Sequence, residues 1–398
     1  MKLLIDACAL ALCLSMGLAH AAPFTPTQDS EVVEVLPFAS DPAARQLASL
    51  RQQLQGRPAD TALRLDIAQR YFALAMAQGD PRLVGYATAA LAPLAASAPN
   101  SADYWLLRGQ LQQFSHQFDD ALASLAKASQ IDAANPAPLA WRAAIFMVQA
   151  RYAEAEAECL RLKPLAEPLW GAGCLAYAQG SSGSLRPAFD ALSAAVRTAA
   201  SANPPPTPDL LLWSHTRLAE MALRLRLPEL AETHFKNALG LGVIDQFLLG
   251  AYADFLLLQR RPAEALKLLA GWERSDILLL RLALAAKDLT DPRAVQWTRE
   301  LRERFDAAAK RGDALHELEA ARFELDLRSN PAGALELARS NYQVQKEPRD
   351  AEVLMRVALA ARQPRAAQPA IDWLRISRYE DTGLEQLARQ LIAQGASR

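Results

Sequence analysis

Residues 102–135 read ADYWLLRGQLQQFSHQFDDALASLAKASQIDAAN. Within this stretch, side chains suited to a helix–helix contact recur four residues apart, first at Trp105 and Gly109 and then at Ala121 and Leu125. This spacing predicts two amphipathic helices, with Phe118 closing the turn between them. We expect Gly109 to allow the two helix backbones to approach each other closely where they cross.

The second half of this pattern returns along the chain with a fixed period. A period of 34 residues separates Ala87, Ala121 and Ala155, and the same period separates Ala231 from Ala265. Each alanine is followed four residues later by a larger side chain, namely Leu91, Leu125, Cys159, Phe235 and Leu269. A repeat of this length predicts stacked helix pairs, in which each pair buries its apolar face on the next.

The repeat resembles the tetratricopeptide repeat in its Trp105, Gly109 and Ala121. It departs from that family's pattern at four positions, where Arg108, Gln112, Leu125 and Ala133 replace Leu, Tyr, Phe and Pro. The resemblance covers about residues 60–275, and beyond them Pro292, Pro331 and Pro364 still stand where second helices should begin. It implies an all-α fold, a right-handed α-solenoid or superhelix of stacked antiparallel helix pairs, and a role in binding other proteins.

The pattern divides the chain into six segments. These are a signal peptide (1–21), a non-repeat arm and helix (22–58), about four helix pairs (59–203), a proline-rich connector (204–208), further repeats (209–275), and degenerate repeats with a carboxy-terminal cap (276–398). The connector has two interpretations, since an extended proline run serves either as a plain link or as a hinge between two superhelical arms.

The first 21 residues have the features of a cleavable secretory signal. Lys2 precedes an apolar run over residues 7–18 that is too short to span a bilayer, and Ala19-His20-Ala21 supplies the small-x-small cleavage pattern. No later segment is long and apolar enough to be a transmembrane helix, so we expect a periplasmic mature chain. The alternatives are an ordinary cytosolic first helix, or a lipoprotein modified at Cys13, which the bulky residue before that cysteine disfavours.

Composition and motif searches argue against nucleic-acid binding and catalysis. The 398 residues carry a net charge of −1, whereas phosphate binding needs a surplus of Lys and Arg. The histidines of the mature chain, His116, His215, His234 and His316, show no metal-ligand spacing, and Gly180–Ser184 lacks the residues of a nucleophile elbow or a phosphate loop. We therefore expect no catalytic residue, no metal and no cofactor.

Two cysteines, Cys159 and Cys174, remain after removal of the signal. The turn between their helices centres near residues 165–166, at similar distances along the chain from both cysteines. Equal offsets on an antiparallel hairpin place two side chains at the same height, and an exported protein meets an oxidising compartment. This predicts a disulfide, and two buried free thiols are the alternative.

The first helices are expected to line a concave groove. Residues spaced i, i+4 and i+7 opposite the intra-pair stripe, with two neighbours, form an uncharged set: Leu65, Gln69, Phe72, Leu106, Gln110, Gln113, Phe114, Ala140, Ala144, Met147 and Val148. An apolar surface with amide side chains suits an extended or helical peptide. Alternatively, the 23–58 arm fills this surface, or the surface is core in a tightly wound superhelix.

The leading functional hypothesis is a non-enzymatic periplasmic scaffold that binds a protein or peptide partner, acting as an adaptor, assembly factor or chaperone-like module. The first alternative is a soluble component of an envelope machine that assembles or exports polysaccharide. The second is an enzyme, which would require a compact cluster of convergent ionisable groups that the sequence does not indicate.

Overall fold

The computed structural model describes residues 42–78, 80–312 and 315–396, and within these ranges every regular element is a helix. The chain divides into two compact units, residues 1–52 and 53–398. The described part of the first unit belongs to helix Pro42–Gly56, which has a proline at its first position, where the missing N–H costs no helical hydrogen bond. The predicted signal peptide and the arm up to residue 41 lie outside the described residues.

In the described part of the second unit, helices form nine consecutive pairs, numbered here 1 to 9. The first helices are Thr61–Gln78, Ala102–Phe114, Ala137–Val148, Pro168–Gly180, Pro208–Arg224, Gln246–Leu258, Asp276–Asp288, Glu317–Arg322 and Pro348–Ala360. The second helices are Pro81–Leu91, Phe118–Ile131, Tyr152–Leu162, Leu185–Ala199, Pro228–Gly240, Pro262–Leu268, Arg293–Lys310, Pro331–Val344 and Gln368–Ser377. Four further elements are the short helix Leu94–Ser97, the π-helical turn Phe323–Leu327, the 3-10 turn Pro364–Ala367 and the last helix, Thr382–Ala396.

Small residues hold the two helices of a pair close together. The five periodic alanines, from Ala87 to Ala265, are completely buried, and so is the larger partner of each, apart from 4% exposure at Leu91. A methyl group at Gly109 would lie 2.7 Å from the Leu125 Cγ atom and 3.2 Å from the Ala121 carbonyl oxygen. The helices of pair 2 therefore cross at Gly109, as the sequence predicts, and the fold is an α-solenoid of stacked antiparallel pairs.

A residue in the left-handed backbone region lies between the two helices of each pair from 2 to 9. These residues are His116, Ala150, Gly183, Arg226, Arg260, Thr290, Ser329 and Arg362. At the turn of pair 3, the Arg151 N–H donates to the Phe146 carbonyl oxygen at 2.8 Å, the long hydrogen bond of a Schellman cap. The turns of pairs 2 to 7 and of pair 9 are closed by such a bond across five residues, whereas in pair 8 the bond from the Asn330 N–H to the Glu324 carbonyl spans six.

The carboxy-terminal pairs contact the middle pairs directly, and we call these the return contacts. Four of them join residues far apart in the chain: Lys346 N–H to the Val148 carbonyl (2.7 Å), Trp373 Nε1–H to the Tyr152 hydroxyl (3.1 Å), Leu185 N–H to the Glu380 carboxylate (2.6 Å), and the Arg224 guanidinium over the Tyr379 ring (3.6 Å). The middle-pair residues lie at or beside the first-to-second-helix turns of pairs 3 to 5. The sequence does not indicate this closure.

Candidate functional site

The predicted groove residues divide into three classes by exposure. Gln69 and Ala144 are exposed, while Leu65, Leu106, Gln113, Phe114, Ala140 and Val148 are half-buried. The remaining three, Phe72, Gln110 and Met147, are buried. These three residues therefore do not line an open groove, and the expectation that the whole set forms a free surface requires correction.

Two kinds of packing accompany this burial. One involves helices outside the first three pairs, and the other is contact between one of these three pairs and another. Met147 belongs to one hydrophobic cluster with Leu354 and Trp373 of pair 9. The Phe72 ring of pair 1 lies 5.9 Å from the Trp141 ring of pair 3, centroid to centroid. The accessible members of the predicted set, among them Gln69, Gln113 and Ala144, carry no charge.

A polar and aromatic network lies on the first helices of the later pairs. The Arg217 guanidinium donates to the Tyr177 hydroxyl at 3.1 Å and to the Glu220 carboxylate at 2.8 Å. It also lies 4.5 Å from the centroid of the Tyr177 ring and 4.6 Å from that of Phe247, which is cation–π geometry. Burial raises the pKa of Glu220, and the charge of Arg217 opposes that shift. The Glu220 carboxylate is thus paired with Arg217.

The start of the first helix of pair 9, together with the residues just before it, faces this network. The Arg349 guanidinium lies 5.4 Å from the centroid of the Phe247 ring and donates to the Glu347 carboxylate at 2.8 Å. Burial would raise the pKa of Glu347, but the charges of Arg349 and Arg217 outweigh it and hold that pKa below its usual range. Residues 346–349 therefore approach pairs 3, 5 and 6 together.

A second network connects pairs 6, 7 and 8 through Asp254. Its carboxylate accepts hydrogen bonds from Arg281 at 2.7 Å and from Arg322 at 2.9 Å, through different oxygen atoms. The Arg281 side chain is only 5% exposed, and the Glu319 carboxylate lies 3.8 Å from it. Burial would raise the pKa of Asp254, but the two arginines outweigh it and lower that pKa strongly. Asp254 thus pairs with two nearly buried cations, and Glu319 places a second negative charge near Arg281.

The described residues contain no group of three or more His, Cys, Asp or Glu side chains placed to hold a metal ion. In that same part of the chain, none of the helices combines the length and hydrophobicity that a bilayer crossing requires. Gly180–Ser184 forms the turn of pair 4, and the Ser181 and Ser182 hydroxyls donate to backbone carbonyls of the preceding helix. These serines therefore serve local turn structure.

Two histidines of pair 5, His215 and His234, form a close pair. Their Nδ1 atoms lie 3.0 Å apart, and both rings are half-buried. Burial, and then the charge of His215, lowers the pKa of His234 to about 4, and burial lowers the pKa of His215. One neutral ring therefore donates to the other, and the pair resists protonation.

We expect the free energy of unfolding to fall as pH drops from about 6.5 towards 4. The unfolded chain protonates both rings near pH 6.5, whereas the folded chain keeps them neutral, so unfolding takes up protons in this window. The two rings are half-exposed, so solvent screens part of this effect. We expect the pair to account for a loss of about 1–2 kcal/mol in the free energy of unfolding. Urea unfolding of the parent and of His234→Phe at pH 7.5, 5.5 and 4.5 measures this loss, which should be smaller in the variant. An equal loss in both proteins would contradict this prediction.

The two cysteines join pair 3 to pair 4. Cys159 lies in the second helix of pair 3 and Cys174 in the first helix of pair 4, and the structure connects them by a disulfide with a Cα–Cα distance of 5.4 Å. The bond closes a sequence separation of 15 residues. It therefore locks the stacking of one pair on the next.

No family model matches the chain, and no curated protein matches it. Several solved structures are similar to it at low sequence identity. A Rap protein complexed with competence and sporulation factor aligns at 13% identity over 88% of this chain and 99% of its own, with a TM-score of 0.46. Yeast Tom70 aligns at 11% identity over 89% of this chain and 85% of its own, with a TM-score of 0.42.

The APC/C hetero-tetramer Cut9-Hcn1 aligns at 15% identity over 79% of this chain, with a TM-score of 0.40. The aligned part spans 52% of the matched chain in that assembly, about half its length. At these TM-scores the likenesses do not decide the fold, which rests on the helix pairs described above.

Proposed function

We propose that this chain is a non-enzymatic protein-interaction scaffold, exported to the periplasm, that binds a peptide or protein partner on the uncharged surface of pairs 1 to 3. The predicted signal in residues 1–21 supports export. The observation that carries the binding role is the stack of helix pairs. In stacks of this kind, successive repeats line extended surfaces that bind other proteins.

The chemistry of the accessible residues supports a peptide ligand. Gln69 and Ala144 are exposed. Gln113 and Phe114, which belong to the same predicted set, are half-buried. Gln110 is 6% exposed, and its side-chain oxygen accepts no hydrogen bond from any described residue. Buried acceptors are nearly always satisfied, so a small local adjustment would let this oxygen accept from a backbone N–H of the partner.

Site-specific photo-crosslinking in living cells tests the proposal. A photoreactive amino acid replaces Gln69, Gln113 or Ala144 in turn, in the full chain. The controls carry it at Lys127 or Asn237, which are exposed on second helices. We expect one and the same partner chain to be attached from all three surface positions and not from the controls.

Two outcomes would contradict the proposal. The first is that no chain is attached at any of the three positions in cells that contain the partner at natural levels. The second is that the control positions attach the same chains with equal yield, because this indicates non-specific contact. The substitutions lie at exposed or half-buried positions, so circular dichroism should show unchanged helix content in each variant.

A further inference from the structure

A cleft of about 640 Å³ lies between the second helix of pair 8 and the helices of pair 9. Its floor is made by Tyr342, Leu354 and Trp373, which are 5%, 1% and 8% exposed. Ile376 stands at its edge and is 74% exposed. A cavity of this size with an apolar floor falls within the range of ligand-binding sites.

Three cationic side chains surround this floor. Arg339, Lys346 and Arg365 are exposed, and none of them forms an ion pair with any described residue. The cleft also contains the carboxylate of Asp372, which accepts hydrogen bonds from Gln368 at 3.1 Å and Arg375 at 3.4 Å. The three rim cations therefore have no anionic partner among the described residues. The Asp372 carboxylate, in contrast, already accepts hydrogen bonds from neighbouring side chains.

The return contacts fix the cleft in place. The Trp373 indole N–H donates to the Tyr152 hydroxyl of pair 3, and the Lys346 backbone N–H donates to the Val148 carbonyl. Trp373 of the floor and Lys346 of the rim are thus both bonded to pair 3, which lies about 200 residues earlier in the chain. A site built on packed helices loses little conformational entropy when it binds a ligand.

We propose that this cleft binds an acidic peptide segment of a partner protein, with a bulky apolar side chain on the floor and carboxylates at the three rim cations. Charge complementarity selects the acidic sequence, and the apolar floor selects a large side chain at its centre. The cleft deepens the proposed scaffold function by adding a second contact surface, made of residues other than those of pairs 1 to 3. Three cations are too few for the extended phosphate contacts that nucleic acids require.

Fluorescence anisotropy with a defined probe tests this inference on the full mature chain. The probe is a fluorescein-labelled peptide with Leu-Phe at its centre and two glutamates on each side, and the reference probe has glutamines in place of the glutamates. We expect the acidic probe to bind at least tenfold more tightly than the reference probe. The difference should shrink as sodium chloride is added, because exposed charges are screened.

Matched charge reversals locate the site. The variant Arg339→Glu/Arg365→Glu should lose at least tenfold in affinity for the acidic probe. The variant Arg299→Glu/Arg302→Glu alters exposed arginines of pair 7 by the same net charge and should bind like the parent. Ile376→Ser, an exposed position, should weaken binding of both probes, because it removes apolar contact at the edge of the floor.

Three results would overturn the inference. The first is equal binding of the two probes, and the second is an equal loss of affinity in the two charge-reversal variants. The third is that phosphatidylglycerol vesicles retain the parent while the acidic probe does not bind, which would indicate a lipid surface. Crosslinking from Gln69 in the Arg339→Glu/Arg365→Glu variant separates the two proposals. A chain attached there as in the parent shows that pairs 1 to 3 still bind, whatever the cleft does.

Discussion

Replacing Asp254 with alanine is expected to lower the free energy of unfolding by about 3 kcal/mol. The substitution leaves Arg281, which is 5% exposed, and Arg322, which is 14% exposed, without the carboxylate that bonds both. A nearly buried cation that loses its partner keeps its desolvation cost and loses its compensation. Partial exposure of Asp254 and the nearby Glu319 keep the expected loss at the lower end of the range for buried pairs.

Urea denaturation at neutral pH measures the change, and Asp190→Ala is the matched control. Asp190 pairs with Arg186 across one helical turn at 4.0 Å, with both side chains more than half exposed. Such pairs contribute less than about 1 kcal/mol, so this variant should unfold close to the parent. If Asp254→Ala unfolds at the same urea concentration as Asp190→Ala, the network does not stabilise the stack.

Reduction of the Cys159–Cys174 bond is expected to cost about 3 kcal/mol of stability, the chain-entropy value for a loop of about 15 residues. The loss arises because the reduced unfolded chain gains conformations that the crosslink excludes. Thermal unfolding of the full mature chain with and without dithiothreitol measures it, and the oxidised protein should have the higher Tm.

The double variant Cys159→Ala/Cys174→Ala provides the control, because its Tm should not respond to dithiothreitol. Cys159 is completely buried, and alanine leaves a small void there that lowers stability by itself. The Tm of this variant with dithiothreitol is therefore compared with its own Tm without dithiothreitol, and not with that of the parent. Intact-mass analysis of protein from the periplasm should show both thiols oxidised. Two free thiols in that material, or an equal response to reductant in both proteins, would refute the bond.

The sequence predicts the local architecture well because the relevant signal is periodic. The alanine spacing places the second helices from Ala87 to Ala265, and Pro331 begins a second helix where the sequence places one. The left-handed turn residues are harder to identify, since Ala150 and Arg226 stand where glycine would be the usual signal. Their recurrence with a period near that of the alanines is visible only once the turns are known.

The binding surface could be predicted only in part. Hydrophobic spacing places a residue such as Met147 on a helix face, but it carries no information on which distant helix covers that face. The return contacts of Trp373 and Lys346 join positions about 200 residues apart, and a single sequence holds no signal for them. Arg281 is different, because a cation inside the run DILLLRLALAAKD indicates a buried partner even before that partner is known.

The return contacts also limit how many repeats this chain can contain. An open-ended solenoid tolerates the gain or loss of a pair, because each pair contacts only its neighbours. Here Glu380 caps the helix that begins at Leu185, and Tyr379 lies against Arg224. A pair duplicated between positions 246 and 344 would move these groups out of register and leave both ends of the contact unmatched. Closure therefore makes repeat number a fixed property of this protein, as it is in a ring.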